Sequence, residues 1–149
     1  MLNFLLALTL SASAGAPPFL FKTSDAGGLC PHGPCSSVVV VQSDGSYVWT
    51  GLQGALMRKG KLPPATLKAI AAALSKTDFK AVKSRPFTEL CPTAYDGNER
   101  TYSFHTKRGE EVLPSCKYAL DKDLPLFKLV DKAVADVFSA GPEGKPTGP

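Results

Sequence analysis

Four consecutive valines, Val38–Val41, precede an Asp44-Gly45 pair and then Tyr47-Val48-Trp49-Thr50, and this stretch constrains the fold more than any other. Valine is stiff about its first side-chain torsion and suits a pleated strand. Asp-Gly supplies the backbone freedom that a tight hairpin needs, so strand, turn and strand follow one another here. An unbroken valine run predicts a strand covered on both faces, while Tyr47 and Trp49 share one face of its partner.

The rest of the chain supplies elements that can cover this hairpin. Phe19–Thr23 reads as a short edge strand ahead of Gly27-Gly28, and a basic, glycine-containing loop carries Arg58, Lys59 and Lys61 to Pro63-Pro64. Leu67, Ile70, Ala71 and Leu74 then recur at helical spacing, predicting a helix from near Pro64 to residues 76–78, with Phe79 and Val82 delivered to the core. Residues 83–97 hold Pro86 and Pro92 and read as loop. Between Arg100 and Thr106, Thr101, Ser103 and His105 alternate with Tyr102 and Phe104, and Lys107–Glu110 turns the chain into Glu111–Leu113, a second hairpin. Phe127, Val130, Val134 and Val137-Phe138 predict a second amphipathic helix over 124–138.

The expected architecture is α+β: a four- or five-stranded antiparallel sheet with two helices on one face, in strand-strand-helix order occurring twice. Its expected core is Val38–Val41, Trp49, Leu67, Ile70, Leu74, Phe79, Tyr102, Phe104, Phe127, Val130 and Val134. Thr101, Ser103 and His105 are expected on the opposite, watery face.

Leu2–Leu10 is an apolar run, and Ser11–Ala16 is a stretch of small residues, the pattern of a secretory signal. Residues 1–16 are therefore expected to be cleaved after Ala14 or Ala16, 17–140 to form a single exported domain, and 141–149 to be a disordered tail. The destination is secreted or periplasmic. No other segment has the length and apolarity of a membrane span.

Four cysteines fit an oxidising compartment. Three pairings are possible, and the simplest joins Cys30 to Cys35 and Cys91 to Cys116, because the first two bracket Pro31-His32-Gly33-Pro34, whose residues suit a tight reversal. A metal site at Cys30, His32 and Cys35 is the rival, but it lacks a fourth ligand at a recognisable spacing. The four-residue gap excludes a thioredoxin-like motif.

The net charge of +4 is spread along the chain, and neither the Arg58, Lys59 and Lys61 cluster nor the Lys107-Arg108 pair is interleaved with aromatics on a strand face, which argues against nucleic acid. Catalytic signatures are missing too: there is no Gly-x-Ser-x-Gly elbow, His-Glu-x-x-His pair or phosphate-cradling glycine loop. Neither histidine lies in a recognised context, and the adjacent Glu110 and Glu111 point to different sides of the chain. The reading is a protein that is not an enzyme and needs no cofactor.

Cys91-Pro92-Thr93-Ala94-Tyr95-Asp96 resembles the reactive loop of the subtilisin inhibitor-like family of secreted protease inhibitors, in which Cys-Pro-x-x-Tyr-Asp brackets the bond offered to a serine protease. The likeness extends over Cys91–Cys116 and includes a strand, a basic turn with Gly, a second strand and a closing Cys. It implies that Thr93 and Ala94 flank the scissile bond, that Cys91–Cys116 braces the loop, and that Pro92 limits its freedom. Gly27-Gly28-Leu29-Cys30-Pro31, the Val-rich strand and the Asp-Gly turn together resemble exported bacterial domains with no assigned function. The primary expectation is thus an exported domain acting through a binding surface. The alternative is a serine protease inhibitor whose partner is an extracellular protease.

Overall fold

A computed structural model of the chain describes residues 19–30 and 33–140. The expected signal, residues 1–16, the expected tail, 141–149, and His32 lie outside the described residues. The chain runs through β1 (Phe19–Cys30), β2 (Gly33–Gln42), β3 (Ser46–Thr50), β4 (Leu56–Lys61), α1 (Pro64–Lys76), α2 (Phe79–Lys83), β5 (Asn98–Thr106), β6 (Gly109–Pro114) and α3 (Pro125–Ser139). All neighbouring strands are antiparallel, in the order β4-β3-β2-β1-β5-β6. The fold is α+β, as the patterning predicts, but the sheet has six strands instead of four or five.

Two strands account for the difference, and each has a physical cause. β1 is a central strand of 12 residues, not an edge strand. Gly27 and Gly28 do not end it, because positive φ values of 121° and 72° let them form an irregularity after which pairing to β2 resumes. β4 takes up the basic segment read as a loop, and it is one of the sheet's two edge strands, where Lys59 and Lys61 stand exposed to water. The strand-strand-helix repeat is therefore replaced by four strands and two helices followed by two strands and one helix.

The valine hairpin forms as expected. Asp44 Oδ1 accepts the Ser46 amide at 2.9 Å and the Ser46 hydroxyl at 2.7 Å, bonds that hold the Asp44 carboxyl below its ordinary pKa. Gly45 is required by its φ of 88°, and a Cβ there would also press on the tip of Leu67, 2.4 Å from Cδ1.

Alternation then sets the core. Tyr47, Val41, Phe21 and Phe104 lie side by side across β3, β2, β1 and β5, and Trp49, Val39, Thr23, Tyr102 and Leu113 form the next row. This face packs on Ile70 of α1 and on Leu126, Phe127, Val130, Ala133, Val134 and Val137 of α3. The valine run is covered on one face only: Val39 and Val41 are buried, whereas Val38 and Val40 are half-buried on the open side. On that open side His105 is exposed, yet Ser103 is only 2% exposed, a short side chain shielded between its register partners Lys22 and Val112.

Arg58 of β4 closes the far edge of the core. Its guanidinium donates to the backbone carbonyls of Val137 and Phe138 in the last turn of α3 and lies 5.7 Å from the Trp49 ring. Trp49 in turn meets the Phe138 ring at 4.7 Å and donates from Nε1 to Ser37 Oγ at 2.9 Å.

Candidate binding site

Both disulfides form in the simplest pairing, Cys30–Cys35 and Cys91–Cys116, with Cα separations of 5.2 and 5.3 Å. The sulfurs of Cys30 and Cys35 are thus bonded to each other, which removes the thiolates that the rival metal site would need. Cys91, Glu99 and Cys116 also gather their polar atoms within 4.8 Å, but these sulfurs are likewise joined, and Glu99 Oε1 accepts the Cys116 amide at 3.3 Å. The cluster is a brace.

The segment singled out in the sequence leaves Cys91 in an extended conformation and enters a 3-10 helix over Pro92–Tyr95. Pro92 suits the first position, having no amide to leave unpaired. The Ala94 amide donates to Cys91 O at 2.9 Å and the Gly97 amide to Pro92 O at 2.7 Å, while Asp96 takes the left-handed conformation that ends the turn. Thr93 Oγ1 lies 3.1 Å from Cys91 Sγ. The turn rests against β1: a Cβ on Gly27 would lie 2.8 Å from Thr93 Cγ2 and 2.6 Å from Gly97 O. Glycine at 27 is what allows this approach.

Side-chain exposure defines the surface. Thr93, Ala94, Tyr95 and Asp96 all face solvent, Tyr95 at 63%. Leu29 beside Cys30 is 86% exposed, and Leu90 beside Cys91 is 68% exposed. The β1–β2 tip and the turn meet at Gly28, whose added Cβ would lie 3.7 Å from both Asp96 O and Cys35 Sγ. Leu29 and Leu90 were not anticipated from the sequence, where nothing local marks a leucine as exposed.

A polar cluster at the start of β5 was also missed. Arg100 donates to Asp25 and Asp131, and the Tyr102 hydroxyl donates to Asp131 Oδ1 at 2.8 Å. Burial, reinforced by the bond to Asp131, pushes the Tyr102 phenol above its ordinary pKa. The Asp25 carboxylate does the same for the Arg100 guanidinium. Three charges and a phenol are thereby committed to one another, fixing the strand that leaves the turn. No family model matches the chain, and no curated protein matches it.

Proposed function

We propose that the chain is an exported, non-enzymatic domain that binds an extracellular protein through the end of the sheet where both disulfides lie. The apolar segment Leu2–Leu10 with its small-residue sequel supports export, and two formed disulfides fit an oxidising compartment. The observation that carries the reading is the exposure of Leu29, Leu90 and Tyr95 on backbone pinned by cross-links and glycine contacts. Apolar side chains held out in water gain by being covered. A backbone already fixed loses little entropy when they are. No cofactor enters this reading.

Protease inhibition through Cys91–Asp96 is the second reading, supported by the exposed Thr93-Ala94 bond next to the braced Cys91. It ranks below the first because a protease reads an extended strand. Straightening the turn would break the Ala94–Cys91 and Gly97–Pro92 backbone bonds.

Photocrosslinking tests the proposal. A photoreactive residue at position 95, in protein secreted by its own cells, is expected to give one dominant protein adduct that Leu29→Ser and Leu90→Ser diminish. The same probe at exposed Lys128 on α3 is the control, and an identical adduct pattern from both positions would refute the assignment.

A further inference from the structure

A groove of about 1150 Å³ opens at the other end of β5, between the α1–α2 junction and the β5–β6 turn. β5 is nine residues long, so roughly 27 Å of strand separates the groove from the 91–96 turn. Half-buried Leu74 and Phe79 contribute its apolar lining. Lys76, Lys80 and Lys83 line the helical side, with Lys107 and Arg108 on the turn opposite.

The carboxylates present do not neutralise this set. Asp78 caps α2 by accepting the Ala81 amide at 3.1 Å, and Glu111 is paired with Lys83 at 2.5 Å. Among the described residues, none of Lys76, Lys80, Lys107 and Arg108 forms an ion pair. Four cations on two facing walls above an apolar lining make a surface with a definite complement. Phe79 is also seated against the core, its ring 5.7 Å from that of Phe104.

We propose that this groove binds an acidic peptide segment that carries aliphatic or aromatic side chains among its carboxylates. The carboxylates face the unpaired cations, and the apolar side chains cover Leu74 and Phe79. The volume lies above the range of small-ligand pockets, roughly 300 to 1000 Å³, so a single inorganic anion would leave it mostly empty. A sulfated glycan supplies charge without an aliphatic anchor and would leave the apolar lining wet. The site is independent of the disulfide-braced end and does not rest on the role proposed there.

Fluorescence anisotropy with a labelled peptide of alternating glutamate and leucine, titrated with the folded, oxidised protein, tests this. Saturable binding is expected, weakened by about tenfold or more when Lys80→Glu, Lys107→Glu and Arg108→Glu are combined. Each single reversal should weaken it less, and since the three side chains are exposed, thermal melts should match the parent. Tyr95→Ala at the far end should bind as the parent does. An all-glutamate peptide of equal length should bind more weakly. The proposal is overturned if the glutamate-leucine peptide does not saturate, or if the reversals on the helix and on the turn leave binding unchanged. It is equally overturned if the all-glutamate peptide or a heparin-derived oligosaccharide binds as tightly.

Discussion

The guanidinium of Arg100 holds both carboxylate oxygens of Asp25, Nε to Oδ1 at 2.7 Å and Nη2 to Oδ2 at 2.8 Å, across a register pair of β1 and β5. Its remaining nitrogen, Nη1, reaches Asp131 of α3 at 3.1 Å. One side chain thus ties two central strands to the helix that covers them, four residues after the turn ends at Asp96. The planar fork of arginine matches a carboxylate in a way that a point charge does not.

Arg100→Met should therefore lower stability by about 1 to 3 kcal/mol, because it strands two partly buried carboxylates. The cost will show as a lower urea midpoint at unchanged slope. Arg100→Lys should recover less than half of it. Combining Arg100→Met with Asp25→Asn should cost less than the two changes summed, since their side chains share one interaction. Strict additivity would mean that the pair is not coupled.

Alkaline stability should depend on Tyr102. Its phenol has an ordinary pKa of 10.0 and is raised in the folded chain, by burial first and by Asp131 second. The unfolded chain thus gives up this proton at lower pH than the folded one. The contribution is fully present below pH 10 and is lost as the pH rises toward the folded value. Tyr102→Phe should be less stable near neutrality, by about 1 to 2 kcal/mol for the lost bond to Asp131. It should also lose less stability than the parent between neutrality and high pH. Parallel pH profiles for the two proteins would contradict this account.

Arg58 should matter to α3 more than its place on an edge strand suggests. Its guanidinium meets carbonyls that a helix end leaves without partners, where positive charge also suits the helix dipole. Arg58→Ala should cost about 1 kcal/mol. Since Trp49 is the chain's one tryptophan and sits between Arg58 and Phe138, its fluorescence should shift in the same variant. An unmoved emission spectrum would show that Arg58 does not order this corner.

Local pattern made the elements legible wherever one periodicity prevailed. α1 begins at Pro64 and α3 covers Pro125–Ser139, close to the bounds that their apolar spacing predicts. The alternation of Tyr102 and Phe104 gives the buried face of β5 correctly. The full length of β1 beyond Thr23 and the strand character of β4 escape local pattern, because glycine and lysine usually mark loops. Their strand character comes from pairing with β2, β5 and β3, which no local window contains. The valine run was misleading for a similar reason: it announces a buried strand, but whether a layer covers the second face depends on how many helices the chain has to spend. At the candidate site, cysteine spacing gave the simplest pairing, whereas the 3-10 turn depends on the contact of Thr93 and Gly97 with Gly27, far away in sequence.

The two disulfides should differ in what they protect. On the chain-entropy account, closing the 25-residue separation of Cys91 and Cys116 stabilises by about 3 to 4 kcal/mol, and closing the 5-residue separation of Cys30 and Cys35 by about 2. Replacing each pair by serines should reproduce that order in urea midpoints. The sharper contrast is local. Without Cys91–Cys116 the turn keeps its two backbone bonds but loses its covalent anchor, so the Gly97 amide, which donates to Pro92 O at 2.7 Å, should exchange with solvent faster. Without Cys30–Cys35 the same amide should be little affected, since Gly27 still packs on Thr93 and Gly97. Limited proteolysis should follow suit, with cleavage inside 91–96 in the first variant and not in the second. A loop that must be ordered on association also binds more weakly, so any partner engaging Tyr95 should discriminate between the variants in the same direction. If subtilisin-like proteases are inhibited by the oxidised protein and instead cut the Cys91→Ser, Cys116→Ser variant, the inhibitor reading overtakes the general binding one. If such proteases stay fully active in molar excess of the oxidised protein, and the turn resists cleavage, its role is to present Tyr95 and its neighbours as a fixed surface.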